Sequence, residues 1–180
     1  VWPGYWSLGS GWFVDPRGTG LIRDTFARAA EGNWITVTTW NDFFETTHFQ
    51  PSIGLGTGRL DLLHAMLSRW RSAAPSPSEP RIYVWQPNEV QTGDAIDGEV
   101  LALLPDHSLP VHARVSLCGA DGKVTREGAW RSLGDRRHPV AEFDLGTTPA
   151  APGTCQYLLL EYRLADRQTQ VCLSQPIYVW

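Results

Sequence analysis

The chain is poor in lysine, methionine, cysteine and long apolar runs. Lys123 is its only lysine and Met66 its only methionine. Fifteen Lys and Arg face nineteen Asp and Glu, a net charge of −4, and the pI is about 5.7. No basic stripe is present, which argues against nucleic acid as a partner. No apolar run reaches the ~20 residues of a membrane-spanning helix, so no membrane span is expected. Val1-Trp2-Pro3-Gly4 has neither the charged n-region nor the apolar h-region of a signal peptide. The chain starts abruptly and without Met, and reads as the tail of a longer protein, so the missing leader says nothing about export.

Cysteine is scarce as well. Cys118, Cys155 and Cys172 make an odd number, which leaves at least one free thiol or an intermolecular bond. Their spacings suit no zinc site. Residues 155–164 and 170–173 read as a hairpin turning near 165–169. That register sets Cys172 opposite about Glu161, six residues from Cys155. At ~3.3 Å per residue the gap is about 20 Å, beyond disulfide reach, so reduced, buried thiols are expected.

What the chain does have is tryptophan, nine of them, and a sharp change of character midway. Ala73-Ala74-Pro75-Ser76-Pro77-Ser78-Glu79-Pro80 is a linker, because proline at this density blocks both helix and ladder. Before it, residues 1–74 alternate strand, helix, strand, helix. Residues 1–6 form a strand end and an aromatic loop. Residues 16–30 read as a helix with Arg17, Arg23 and Arg28 on its polar side. Residues 34–40 read as a buried strand. Residues 60–70 read as an amphipathic helix with Leu60, Leu63, Leu67 and Trp70 on one face. This βαβα order is the grammar of a parallel sheet or barrel. After the linker, residues 81–180 lose helical period and give short strands divided by turn signals such as Asp121-Gly122 and Pro152-Gly153. The candidates are 82–86, 95–104, 112–117, 124–130, 140–145, 156–164, 170–173 and 177–180. About a hundred residues of this kind fit an immunoglobulin-like β-sandwich.

The most informative stretch is Trp40-Asn41-Asp42-Phe43-Phe44-Glu45-Thr46, closed by Pro51 and Ser52. Two acids three positions apart follow an apolar, β-branched run. Carboxylate pairs suit general acid/base or nucleophilic work on an acetal. Strand alternation puts Trp40 and Asp42 on one side, and a turn brings Glu45 back toward the same space.

This stretch resembles the strand-eight signature of glycoside hydrolase families 71 and 99, endo-acting enzymes on α-1,3-glucans and α-mannosides. Its usual form is Trp or Phe, Asn, Glu or Asp, an aromatic, any residue, Glu, then Gly or Ser, with Pro a few residues on. The resemblance implies a fold class of α/β followed by all-β. Residues 1–74 would supply the last two βα units of a (β/α)8 barrel and residues 81–180 the sandwich. The remaining six units would lie upstream of Val1, and this part alone would be inactive.

The resemblance also implies Asp42 and Glu45 as the catalytic pair. In family 99 the first acid is proposed to deprotonate the sugar's 2-hydroxyl, giving a transient 1,2-anhydro sugar, while the second serves as general acid and then base. Asp stands here where family 99 has Glu, as family 71 allows, so retention and inversion both stay open. A carboxyl separation of about 5 Å would favour the first and 6.5–9.5 Å the second.

Trp40, Asn41, Tyr5, Trp6, His48 and Gln50 are the candidate substrate-binding residues. Aromatic faces stack on pyranose rings, and His48 and Gln50 stand where these families carry polar or acidic residues before the proline. Trp12, Phe43 and Phe44 serve stacking or core packing equally well, and Arg17 matches a helix-opening Arg-Gly that anchors the loop. One loop seldom supplies a complete ligand set, so Asp42, Glu45 and His48 suggest no metal, and no cofactor is implied. His107, His112 and His138 are scattered. Asp94, Asp97, Asp121 and Asp135 fit turns better than a calcium loop. The expected function is hydrolysis of an α-linked oligo- or polysaccharide, outside the cell or at its surface. The alternatives are a glycan-binding protein that does not cleave, and a sandwich that docks a neighbour.

Overall fold

The computed structural model of the protein describes residues 1–6, 13–14, 18–52, 56–72, 78–104, 110–133, 140–148, 150–165 and 168–180. The chain divides into two compact units, Val1–Glu79 and Pro80–Trp180.

The first unit holds two short antiparallel strands, β1 (Tyr5–Trp6) and β2 (Phe13–Val14), and two helices, α1 (Gly20–Ala29) and α2 (Gly58–Trp70). Ile22 and Phe26 of α1, Leu62, Leu63, Ala65 and Met66 of α2, and Phe49 from the loop between the helices are its buried apolar side chains. Trp70 Nε1–H donates to the Ala30 carbonyl (3.3 Å), tying the ends of the two helices. The apolar stripe of α2 is therefore Leu62, Leu63 and Met66. Leu60, Leu67 and Trp70, expected on that stripe, are only half-buried.

The second unit is a β-sandwich. Its strands are β3 (Arg81–Trp85), β4 (Glu89–Val90), β5 (Ala95–Leu103), β6 (Val111–Cys118), β7 (Val124–Arg126), β8 (Arg131–Ser132), β9 (Val140–Thr147), β10 (Cys155–Leu164), β11 (Gln170–Leu173) and β12 (Ile177–Val179). One sheet runs β3-β5-β9. The other runs β4-β12-β10-β6-β7, with β11 also on β10 and β8 also on β6. Every pair is antiparallel except β4 with β12.

Period-2 alternation fills the space between the sheets. Val100 and Ala102 of β5 and Phe143 and Leu145 of β9 face Val111, Ala113, Val115 and Leu117 of β6, Leu158 and Leu160 of β10, and Ile177 and Val179 of β12. Each fully buried side chain of this size stabilises the fold by about 1.5–3 kcal/mol. On the outer face Arg114 pairs with Glu161 and Glu127. Trp130 there carries the guanidinium groups of Arg114 and Arg163 at 5.2 and 4.4 Å from its ring centre. The parallel pair β4/β12 is closed by Tyr178 N–H to the Asn88 carbonyl (2.9 Å), Trp180 N–H to Val90 (3.0 Å) and Thr92 N–H to Trp180 (3.0 Å).

The expected fold class, two barrel βα units followed by a sandwich, is overturned. The described chain is dominated by antiparallel sheet, and α1 and α2 are its two helices. They do not alternate with strands of a parallel sheet. Residues 34–40, expected as a buried strand, belong to no sheet, and their side chains alternate between exposed and half-buried. Thr39 and Trp40 bond into the loop that follows, while the middle of the segment meets Val1, whose ammonium donates to the Thr36 carbonyl (2.5 Å) and whose carbonyl accepts the Thr38 N–H (3.0 Å). That is a parallel pairing one residue long. A β-branched run gives extended backbone by itself, but a strand in a sheet needs ladder partners over several residues.

The three thiols are free, with Cys118 buried, Cys155 half-buried and Cys172 exposed. Burial thus holds for Cys118 alone. Cys172 pairs across from Leu160, one residue from the expected register.

Candidate functional site

The segment after residues 34–40 folds back on itself as a compact loop. Thr39 N–H donates to the Thr47 carbonyl (3.0 Å), Phe49 N–H to Thr39 (3.0 Å) and Gln50 N–H to Trp40 (2.8 Å). The Thr39 and Thr47 hydroxyls share a further bond at 2.8 Å. These contacts form a neck, and Asn41–Thr46 is the head.

Within the head, Asp42 Oδ1 accepts the Glu45 backbone N–H (2.9 Å), while the Asp42 N–H donates to Thr39 Oγ1 (3.3 Å). The first of these is a capping bond, in which a short carboxylate accepts the N–H three residues on in place of a backbone acceptor. It fixes one oxygen of Asp42 and sets Glu45 on the same turn. Both acids are half-buried. Trp40, Asn41, Phe43 and Phe44 are exposed, Trp40 by 55% and Phe44 by 74%. Trp34, on the exposed side of the extended segment, is open by 77%.

The underside is buried: Thr47, His48 and Phe49 point inward. The His48 ring lies against Phe43 with centroids 4.3 Å apart. Arg59, in the first turn of α2, donates through Nη1 to the carbonyls of Thr46 (2.9 Å) and His48 (3.0 Å). Burial pushes its guanidinium down to about 10, still charged at neutral pH. A cation fixed by two carbonyls of the loop acts as a clamp on the turn that carries the acids. His48 is held below its ordinary value, first by burial and then by Arg59, with the Asp42 backbone and carboxylate opposing.

The structure thus brings Trp40, Asn41, Asp42, Glu45, His48 and Gln50 into one loop. His48 sits beneath it rather than at its surface, and Gln50 is half-buried at its neck. Tyr5 is half-buried on β1, its ring 6.3 Å from that of Trp2. The Trp6 side chain, Trp12, Arg17, His107, Asp135 and His138 lie outside the described residues. His112 is exposed on β6. Asp94 accepts the Gln91 N–H (2.8 Å) and Asp121 the Lys123 N–H (3.1 Å), both as turn acceptors.

Arg59 and the Thr39–Thr47 pair were not anticipated from the sequence. The signal available for them was the position of Arg59 at the start of the next helix and the two threonines bracketing the acids. Chemically, the arrangement offers two carboxylates on a rigid turn, flanked by open aromatic faces.

No family model matches the chain, and no curated protein matches it. Solved structures with weak likeness include the CARDB domain of a Pyrococcus furiosus protein in complex with di-metal ions, at 17% identity and a TM-score of 0.35, covering 57% of this chain and 90% of that one. A β-glucosidase from Listeria innocua in complex with glucose is 15% identical with a TM-score of 0.33, covering 58% of this chain and 17% of that one. Pseudomonas fluorescens alkylpurine DNA glycosylase AlkC, bound to DNA containing an abasic site analogue, is 13% identical with a TM-score of 0.31, covering 89% of this chain and 43% of that one. Likeness at this level carries no argument about fold or function.

Proposed function

We propose that the loop Trp40–Gln50 is a glycan-cleaving site related to those of glycoside hydrolase families 71 and 99, acting on an α-linked glucan or mannan. The observation that supports it is the capping bond from the Glu45 N–H to Asp42, which sets the two acids on one clamped loop beside the exposed rings of Trp40 and Phe44. Asp42 takes the proton of the sugar 2-hydroxyl, whose oxygen attacks the anomeric carbon. The glycosidic bond breaks as Glu45 protonates the leaving oxygen. Water then opens the anhydro ring, giving its proton to Glu45, while Asp42 returns a proton to the 2-oxygen. No metal or organic cofactor enters this scheme. Replacing Glu45→Gln in the intact protein removes the transferable proton and costs about 10²–10⁴-fold in turnover of α-glucan or α-mannan oligosaccharides. Unchanged turnover ends the assignment.

A second reading is glycan binding without cleavage. The wide exposure of Trp34, Trp40 and Phe44 favours it, since stacked rings alone give affinity. Calorimetry distinguishes the two: heat of binding with intact oligosaccharide recovered afterwards supports the binding protein.

A further inference from the structure

We propose that His48 is the positioning residue of the carboxylate loop and makes its closure depend on pH: the neutral ring seats the loop and the protonated ring releases it. The ring is only 7% exposed, and neither Nδ1 nor Nε2 has a hydrogen-bond partner. It is held by packing, chiefly against Phe43, which lies between the two acids. Its own carbonyl is fixed by Arg59. A ring seated in this way tolerates the neutral state, because burial and the nearby Arg59 guanidinium oppose an added charge more than the Asp42 backbone and carboxylate favour it.

The ionisable groups acting on the ring are Arg59 from α2 and Asp42 from the same loop. Arg59 and burial oppose the proton and Asp42 favours it. Asp42 Oδ1 is already engaged by the Glu45 N–H, so a protonated ring reaching for it competes with the bond that pairs the acids.

The folded ring therefore binds its proton less readily than an ordinary histidine at 6.5. The contribution of His48 to loop stability is complete above about 6.5 and is lost as pH falls through the lower folded value. The functional meaning, an acid pair assembled at neutral pH and dispersed in mild acid, rests on the hydrolase reading above. The loop motion does not.

Hydrogen exchange of residues 39–50, measured on the 180-residue chain at about pH 7.5 and about pH 5 and corrected for intrinsic rates, tests it. The loop is expected to lose protection in acid while β5 of the sandwich, the internal reference, keeps its own. His48→Phe preserves the ring stack without a titrating group and is expected to abolish the acid-side loss. His48→Gln is a second uncharged variant and is expected to do the same. Equal loop protection at both pH values in the wild-type chain overturns the proposal. So does acid-side loss persisting in either variant that folds. The readout needs no glycan, so a failed turnover assay bears on the hydrolase reading alone.

Discussion

Thr46 closes the head of the loop at φ 56°, a left-handed conformation that L residues avoid and β-branched ones avoid most. Its carbonyl receives Arg59, so the backbone is held there by the clamp rather than by the preference of the side chain. The signature this loop resembles carries Gly or Ser at this place, and glycine adopts the conformation freely. Thr46→Gly removes about 1–2 kcal/mol of strain against about 0.5–1 kcal/mol of extra chain entropy lost on folding. The expected result is a gain of about 0.5–1 kcal/mol in thermal unfolding of the first unit, read by calorimetry. A loss would mean that the threonine side chain supports the turn by contacts outweighing its backbone strain.

Among the elements, β5 is tightly constrained by its neighbours. A Cβ at Gly98 would overlap the Trp85 carbonyl oxygen of β3 and press on the Phe143 ring of β9, so the strand can approach both neighbours only without a side chain there. Gly98→Ala is expected to cost about 1–3 kcal/mol, seen as a lower urea midpoint for the sandwich. An unchanged midpoint would show that β3 can move aside. Element identity was largely legible in this half. Alternating apolar residues in Ala95–Leu103, Val111–Cys118 and Cys155–Leu164 mark real strands, and the two-residue β4 and β8 escaped because so short a run has no period. The first half misled at the same level. Residues 34–40 have strand composition, yet composition does not create the neighbours that a ladder requires. The candidate loop was legible in Asp42 and Glu45 because they stand three positions apart in sequence. Arg59 was not, because its role comes from α2 turning back under the loop, a contact made in space.

At the scale of the molecule, the boundary between Glu79 and Pro80 leaves the core of the sandwich drawn wholly from residues between Ile82 and Val179. A chain of about a hundred residues hides a large enough share of its surface to fold by itself. Residues 80–180 expressed alone are expected to give dispersed amide resonances and one cooperative unfolding transition. A collapsed spectrum would show that the sandwich needs the first unit. The parallel strap of β4 on β12 gives this unit a mechanical character. Its bonds join residues 88–92 to residues 178–180, so tension carried from the N-terminal side of β4 to the C-terminal side of β12 runs along two parallel strands. Once β3, which stands nearer Pro80 and pairs with β5, has given way, that tension loads the strap's bonds together instead of singly.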